Sequence, residues 1–237
     1  MRLISFRPLW RCLPWACLPG ASLLWAPLLG ALMLAGCKAT AVETVRPGVA
    51  AGWPAYGATP GGTHFSRANQ VTPDNVEHLE VAWQHRSGDF READLSRELP
   101  LTQSSLQVTP ILVGERLYYC SPFNRVFALD ARTGEEIWSF DPQVDMDEIP
   151  VLTQCRGVSS WQSGAGGFCE HRIFVATLDA RLIALDAASG RPCPDFGDGG
   201  QIDTSHGLAA HRPAEYGITS PPAIFGDKVI TGSMVLD

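Results

Sequence analysis

Between residues 111 and 190 the apolar positions fall into short dense runs closed by polar turns, and the arrangement occurs twice. The run Ile111–Cys120 leads into Ala128-Leu-Asp-Ala-Arg-Thr-Gly-Glu-Glu-Ile-Trp138, and the run Arg172–Ile183 leads into Ala184-Leu-Asp-Ala-Ala-Ser-Gly190. Each copy predicts one supersecondary unit: an apolar strand, a polar turn, a second strand ending in Ala-Leu-Asp-Ala, and a Thr-Gly or Ser-Gly reversal. The Gly supplies a positive φ, and the Asp bonds to backbone N–H groups of its own turn. A third strand carries Trp138, large enough to pack against the neighbouring unit and cover what a hairpin cannot bury alone. Repetition of such units predicts an all-β fold, a β-propeller with four-stranded blades. The second copy departs from the first, because Pro194 stands where the Trp would fall; Phe196 is the aromatic positioned to close that unit instead.

Upstream the pattern changes. Residues 12–37 carry no charge and follow Arg2, Arg7 and Arg11, the layout of a secretory signal segment over 1–36. Pro14, Pro19 and Pro27 argue against one uninterrupted spanning helix. Residues 37–52 read as a tether. From Trp53 the chain is loop-like, with a short helical turn capped by Thr72 or Asp74 and a strand over Leu79–His85. A last strand-like run covers Lys228–Asp237.

Composition bounds this picture. At 237 residues, 45% hydrophobic and 18% charged, the chain holds enough apolar surface for a core, yet it is too short for a closed propeller of this spacing. It therefore reads as the N-terminal part of a longer protein, with 53–237 the opening of the ring. Acidic residues outnumber Lys and Arg by 25 to 18, so no basic footprint for nucleic acid exists. After Cys37 four cysteines remain, Cys120, Cys155, Cys169 and Cys193. They allow three pairings, of which Cys155 with Cys169 is favoured because it closes the Gly- and Ser-rich loop at 159–167. No zinc-ligand spacing is present. His64, His206 and His211 sit in polar loop contexts without a paired nucleophile.

The pattern Ala-x-Asp-Ala-x-Thr-Gly-x-x-x-Trp resembles the tryptophan-docking repeat of quinoprotein dehydrogenases, propellers that hold pyrroloquinoline quinone (PQQ). Trp53-Pro-Ala-Tyr-Gly57, Gly61-Gly-Thr-His-Phe-Ser66 and Asn75-Val-Glu-His-Leu79-Glu-Val-Ala-Trp83 resemble the opening of the membrane-associated glucose, quinate and shikimate members. The resemblance implies that residues 53–237 form about the first three blades of eight. Three motifs resemble cofactor contacts. Gln107-Val-Thr-Pro110 is similar to an element whose acid faces PQQ, here an amide. Cys155-Arg-Gly-Val158 with Trp161 is similar to an Arg-Gly element, which makes Arg156 a ligand for a PQQ carboxylate, a task suited to guanidinium. Thr219 and Ser220, in Tyr216-Gly-Ile-Thr-Ser-Pro-Pro222, resemble a Thr-Ser-Pro-Pro element that contacts the cofactor. Asp237 aligns with an acid beside a calcium or magnesium ion, which prefers such hard oxygen ligands. Leu152 stands where some sugar-oxidising relatives have His. Leu34-Ala-Gly-Cys37 resembles a lipobox, with Cys37 acylated and the protein anchored on the periplasmic side of the envelope.

The family implies oxidation of a sugar or polyol, with D-glucose to gluconolactone first and quinate or shikimate next, and electrons passed to membrane ubiquinone. Its catalytic aspartate falls beyond this chain, so no catalytic residue is expected here and the chain alone is expected to be inactive. A scaffold lipoprotein of the outer membrane is the rival reading, since it too has a lipobox and such repeats.

Overall fold

The computed structural model describes residues 2–5 (backbone only), 52–97, 100–149, 153–208 and 215–235. Cys37, Leu152, His211 and Asp237 lie outside the described residues, as do nearly all of the signal segment and tether.

Two antiparallel sheets of four strands, each ordered as a simple meander, make up the centre. Ahead of them β1 (Arg2–Ser5) pairs with β2 (Glu80–Gln84). The first sheet is β3 (Ile111–Val113), β4 (Arg116–Cys120), β5 (Val126–Asp130) and β6 (Glu136–Phe140). The second is β7 (Ser159–Gln162), β8 (His171–Ala176), β9 (Arg181–Asp186) and β10 (Gln201–Asp203). A third unit begins with β11 (Tyr216–Gly217), which pairs with β14 (Met234–Val235), and a hairpin of β12 (Ala223–Phe225) and β13 (Lys228–Ile230). Among the described residues the helical elements are two three-residue 3-10 turns, Val76–His78 and Met146–Glu148, and the remainder is strand, turn and irregular loop.

The run 111–120 is a hairpin rather than the single strand expected. Gly114, at φ +60°, and Glu115 form a two-residue turn that sets Val113 opposite Arg116. The second run divides as expected, with a turn at 177–180 in which Ala180 has φ +65°. Each unit thereby gains the strand that makes it a four-stranded blade. The turn near residue 75 is a 3-10 helix, Val76–His78, whose N-cap position is Asn75 and not Thr72 or Asp74; the Asn75 side chain makes no cap bond, its Oδ1 accepting instead from the preceding Thr72 N–H at 2.7 Å.

The repeated Asp residues act as their turns require. Asp130 Oδ1 accepts from the N–H groups of Arg132 and Thr133, both at 2.9 Å, and these bonds hold its carboxyl below the ordinary range. Asp186 Oδ1 accepts from Ser189 N–H and hydroxyl, and Oδ2 from the Cys169 N–H. Burial alone would raise the Asp186 carboxyl, but those hydrogen bonds outweigh it and leave it lowered.

Tryptophan docks the blades to one another. Trp138 lies on Gly190, where an added Cβ would stand 2.5 Å from the indole, and its Nε1 donates to the Ala187 carbonyl at 3.1 Å. Trp83, on β2, repeats the contact on Gly134 and donates to Ala131 O at 3.3 Å. Relative to the first sheet, β2 therefore occupies the place that β6 occupies relative to the second. In the second unit Phe196 packs edge-on to Phe174 at 5.3 Å, with Ile224 and Val229 of the third unit in the same cluster. The main core, Ile111, Tyr118, Val126, Ile173, Val175 and Leu185 among others, lies between the two sheets.

The disulfides correct the expected pairing. Cys120 bonds Cys155, and Cys169 bonds Cys193. Cys155 precedes β7 while Cys169 follows the loop that joins β7 to β8, so the two lie at opposite ends of that hairpin. The 163–167 loop is closed by a backbone bond instead, Ser163 N–H to Glu170 O at 2.9 Å.

Candidate functional site

The segments that precede β3, β7 and β12 run side by side. Ser105 N–H donates to Thr153 O, Thr109 N–H to Arg156 O, and Arg156 N–H to Thr219 O, each at 3.0 Å. A main-chain ladder thus stitches the start of one blade to the next, and it places three motifs that are distant in sequence, at Thr109, Arg156 and Thr219, in one row. Within it the Arg156 guanidinium donates from Nη1 to the Thr219 hydroxyl. Gly157 fills the narrowest point: an added Cβ would stand 3.3 Å from both Thr109 O and Pro221 Cβ, and 3.5 Å from Tyr56.

Of the expected site residues, the structure brings Arg156 and Thr219 into direct contact. Ser220 follows Thr219 with its side chain exposed, and Gln107 is exposed two residues before Thr109, its Nε2 donating to Ser105 Oγ at 3.2 Å. The row therefore presents a guanidinium, two hydroxyls and an amide. Such a donor set matches carboxylates and carbonyl oxygens, with Arg able to grip a carboxylate through two N–H groups.

Two residues escaped the sequence reading. Thr153 and Gln154, beside Cys155, are buried, and Thr153 Oγ1 and Gln154 Oε1 have no hydrogen-bond partner among the described residues. Buried polar atoms are normally satisfied, so an unmet pair next to Arg156 marks a place built for polar contacts. The only signal was two polar residues directly before a buried Cys-Arg-Gly. The bond from Cys155 to Cys120, at the end of β4, ties the same segment to the first sheet.

A cavity of about 400 Å³ adjoins the row, lined by Tyr56, His64, Ser159, Ser160, Pro221 and Pro222 among others. Arg156 lies outside its lining, so it is a neighbour of the ladder rather than its centre. On its wall Ser160 Oγ bonds His171 Nε2 at 2.7 Å, and burial pushes the His171 imidazole below its usual value. His64 and His206 are exposed, as expected. Among the described residues one group could reach a metal ion, Cys169, Cys193 and Asp195. Its two sulfurs are bonded to each other, which leaves no thiolate to offer.

Residues 53–237 match the protein family described as PQQ: Glucose/ethanol/alcohol dehydrogenase, beta-propeller domain. The quinoprotein glucose dehydrogenase of Escherichia coli is 35% identical over 206 residues, covering 84% of this chain and 25% of that protein. The glycerol dehydrogenase large subunit of Gluconobacter thailandicus is 36% identical over 188 residues, covering 78% and 25%. Among solved structures, the quinohemoprotein alcohol dehydrogenase from Comamonas testosteroni superposes with a TM-score of 0.61 at 29% identity, over 78% of this chain and 23% of that one. The chain spans about a quarter of the length of the curated relatives it matches.

Proposed function

This chain belongs to the PQQ glucose/ethanol/alcohol dehydrogenase β-propeller family, and from that we propose that it is the part of a quinoprotein dehydrogenase that holds one side of the cofactor. The observation that carries the reading is the ladder Thr109, Arg156, Thr219, which sets the three motifs expected to meet PQQ in a single row. The Thr153 hydroxyl beside it, without a partner among the described residues, can donate to an oxygen of such a ligand. A scaffold would have no use for an Arg, a Thr hydroxyl and an amide aligned this way.

When bound, PQQ supplies an o-quinone that accepts a hydride equivalent from a carbinol carbon. The residues of this chain bind and orient. Arg156 neutralises and positions a carboxylate, Thr219 and Ser220 offer hydroxyls, and Gln107 offers an amide without adding charge. Thr219 also holds the Arg156 guanidinium in place, so less side-chain freedom is lost on binding.

The finer reading is oxidation of D-glucose to gluconolactone, with ubiquinone as acceptor; quinate or shikimate is the alternative within the class. Calcium or magnesium is the proposed metal, with Asp237 as an oxygen ligand of suitable hardness. The charge-free leader and Leu34-Ala-Gly-Cys37 support a lipid anchor at Cys37 and a periplasmic location.

Two measurements test this. PQQ should quench the tryptophan fluorescence of the chain saturably, and Arg156→Ala should weaken binding at least tenfold while Arg156→Lys weakens it less. The natural gene product should reduce a dye with PQQ, calcium and glucose, more slowly with glycerol or quinate. Absence of quenching by a folded chain would overturn the cofactor role.

A further inference from the structure

The edge strand β7 carries two adjacent serines whose side chains go different ways. Ser159 is buried and donates from Oγ to the Pro222 carbonyl, which fastens the strand to the start of the third unit. Ser160 turns to the opposite face, as alternation along a strand requires. The register sets Gln162 opposite His171, so Ser160 and His171 are diagonal neighbours on that face. Their side chains meet, with Ser160 Oγ 2.7 Å from His171 Nε2.

Two features set this pair apart from an ordinary polar contact. The first is its place. Ser160 is half-buried and lines the cavity of about 400 Å³, whose wall is otherwise mostly apolar, with Pro54, Tyr56, Pro60, Pro221 and Ile224. A space of that size holds a small organic molecule and holds its apolar part best. The second is the state of the base. Burial lowers the His171 imidazole; Glu170 and Asp186 raise it by less, and Arg116 lowers it further. The ring is therefore neutral near pH 7, and with its own proton on Nδ1 it accepts the Ser160 proton at Nε2. Once that proton arrives, the Glu170 and Asp186 carboxylates favour the imidazolium. The main chain under the ring is fixed, because the His171 carbonyl accepts from the Ala187 N–H at 2.9 Å. A serine hydroxyl bonded to a neutral imidazole is the arrangement that makes serine nucleophilic.

We propose that Ser160 is a nucleophile with His171 as its general base, and that it takes the acyl group of an uncharged, apolar ester entering this cavity. Ser160 Oγ bonds the carbonyl carbon as its proton passes to His171 Nε2. The bond from that carbon to the alcohol oxygen breaks, and the proton goes from Nε2 to the departing oxygen, leaving O-acyl Ser160 and the free alcohol. Water attacking the acyl carbon, with His171 again taking the proton, releases the carboxylic acid and restores the hydroxyl. The step uses no residue of the Thr109, Arg156 and Thr219 row, so it stands or falls independently of the PQQ reading.

The probe is p-nitrophenyl butyrate, an apolar ester whose leaving group departs readily. Mixed with the PQQ-free chain, it is expected to release nitrophenolate and to add one butyryl group, located at Ser160 by peptide mass mapping. Ser160→Ala should abolish labelling at that position. His171→Gln keeps a polar side chain but removes the base, and should slow labelling about a hundredfold or more. Ala223→Trp, at an exposed position on the cavity wall, leaves the pair intact and should slow it at least tenfold by filling the space. Near-ultraviolet circular dichroism establishes that each variant is folded. Absence of butyrylation at Ser160 in the folded native chain, or labelling confined to amines, would overturn the proposal. An unchanged rate at Ser160 in folded His171→Gln would overturn it as well, by showing that the imidazole does not act as the base.

Discussion

Gly190 has φ +70° and no room for a Cβ, because the Trp138 indole lies 2.5 Å from where that atom would be. Two separate costs therefore fall on Gly190→Ala: a non-glycine residue in the left-handed region, and a methyl group driven into a packed ring. Together they come to about 2–4 kcal/mol. Gly226 shares the positive φ, at +60°, but has open space around it, so Gly226→Ala should cost only about 1 kcal/mol. Denaturant midpoints for the two variants would measure the difference, and equal midpoints would show that the docking contact carries nothing. Asp186 makes a second residue-scale prediction. Its folded carboxyl is lowered, so its stabilisation is complete above the unfolded value near 4 and fades as pH falls through the folded one. Asp186→Asn should lose about 2 kcal/mol at neutral pH and show a flatter acid limb in thermal unfolding scans. Both residues were legible in the sequence because they repeat at matching places in Ala-Leu-Asp-Ala-x-x-Gly. Thr153 and Gln154 were not, since an unpaired buried atom is a property of the fold around it and leaves no local pattern.

At the level of elements, the sequence located the strands but merged neighbours. Run 111–120 read as one strand because apolar residues flank its turn, and a two-residue reversal at Gly114-Glu115 interrupts the pattern too briefly to show, whereas the polar turn at Asp179 divided the second run legibly. The disulfides were misassigned for a related reason: proximity along the chain was weighed where position across the sheets decides. Cys120 ends β4 and Cys155 precedes β7, so their bond links the two blades, whereas Cys169 and Cys193 close the far side of the second. The bridges span 35 and 24 residues, and in the chain-entropy picture each stabilises by roughly 3.5–4 kcal/mol. Replacing Cys120 and Cys155 together by Ala should lower the denaturant midpoint and, because Cys155 adjoins Arg156, weaken PQQ binding several-fold. Replacing Cys169 and Cys193 should lower the midpoint by a similar amount and leave PQQ binding intact. Equal effects of the two pairs on PQQ binding would separate Cys155 from the positioning of Arg156.

The whole molecule depends on how the blades grip one another, and much of that grip converges on one peptide. The Ala187 carbonyl accepts from Tyr118 Oη at 3.0 Å, Trp138 Nε1 at 3.1 Å and Arg116 Nη1 at 3.1 Å, three donors of the first sheet on one turn of the second. Asn124 Oδ1 adds a bond from the Leu178 N–H at 2.9 Å, and the Cys120–Cys155 bridge lies in the same interface. The tryptophan of the repeat made this contact legible in part, as packing against a neighbour. Tyr118 and Arg116 gave no sign, being ordinary members of an alternating strand. In a repeat architecture stability is the sum of intrinsic unit terms and interface terms, and cooperativity lives in the latter. The two sheets should accordingly unfold in a single transition. Arg116→Ala combined with Trp138→Phe removes two of the three donors and part of the docked ring. In chains reduced with dithiothreitol, that variant should unfold in two steps, the first lost at lower denaturant, when followed in parallel by near-ultraviolet circular dichroism and by hydrogen exchange at β5 and β9. A single transition at both strands would place the coupling in the apolar contact between the sheets, among Ile111, Val126, Ile173 and Leu185, and not in the hydrogen bonds on Ala187.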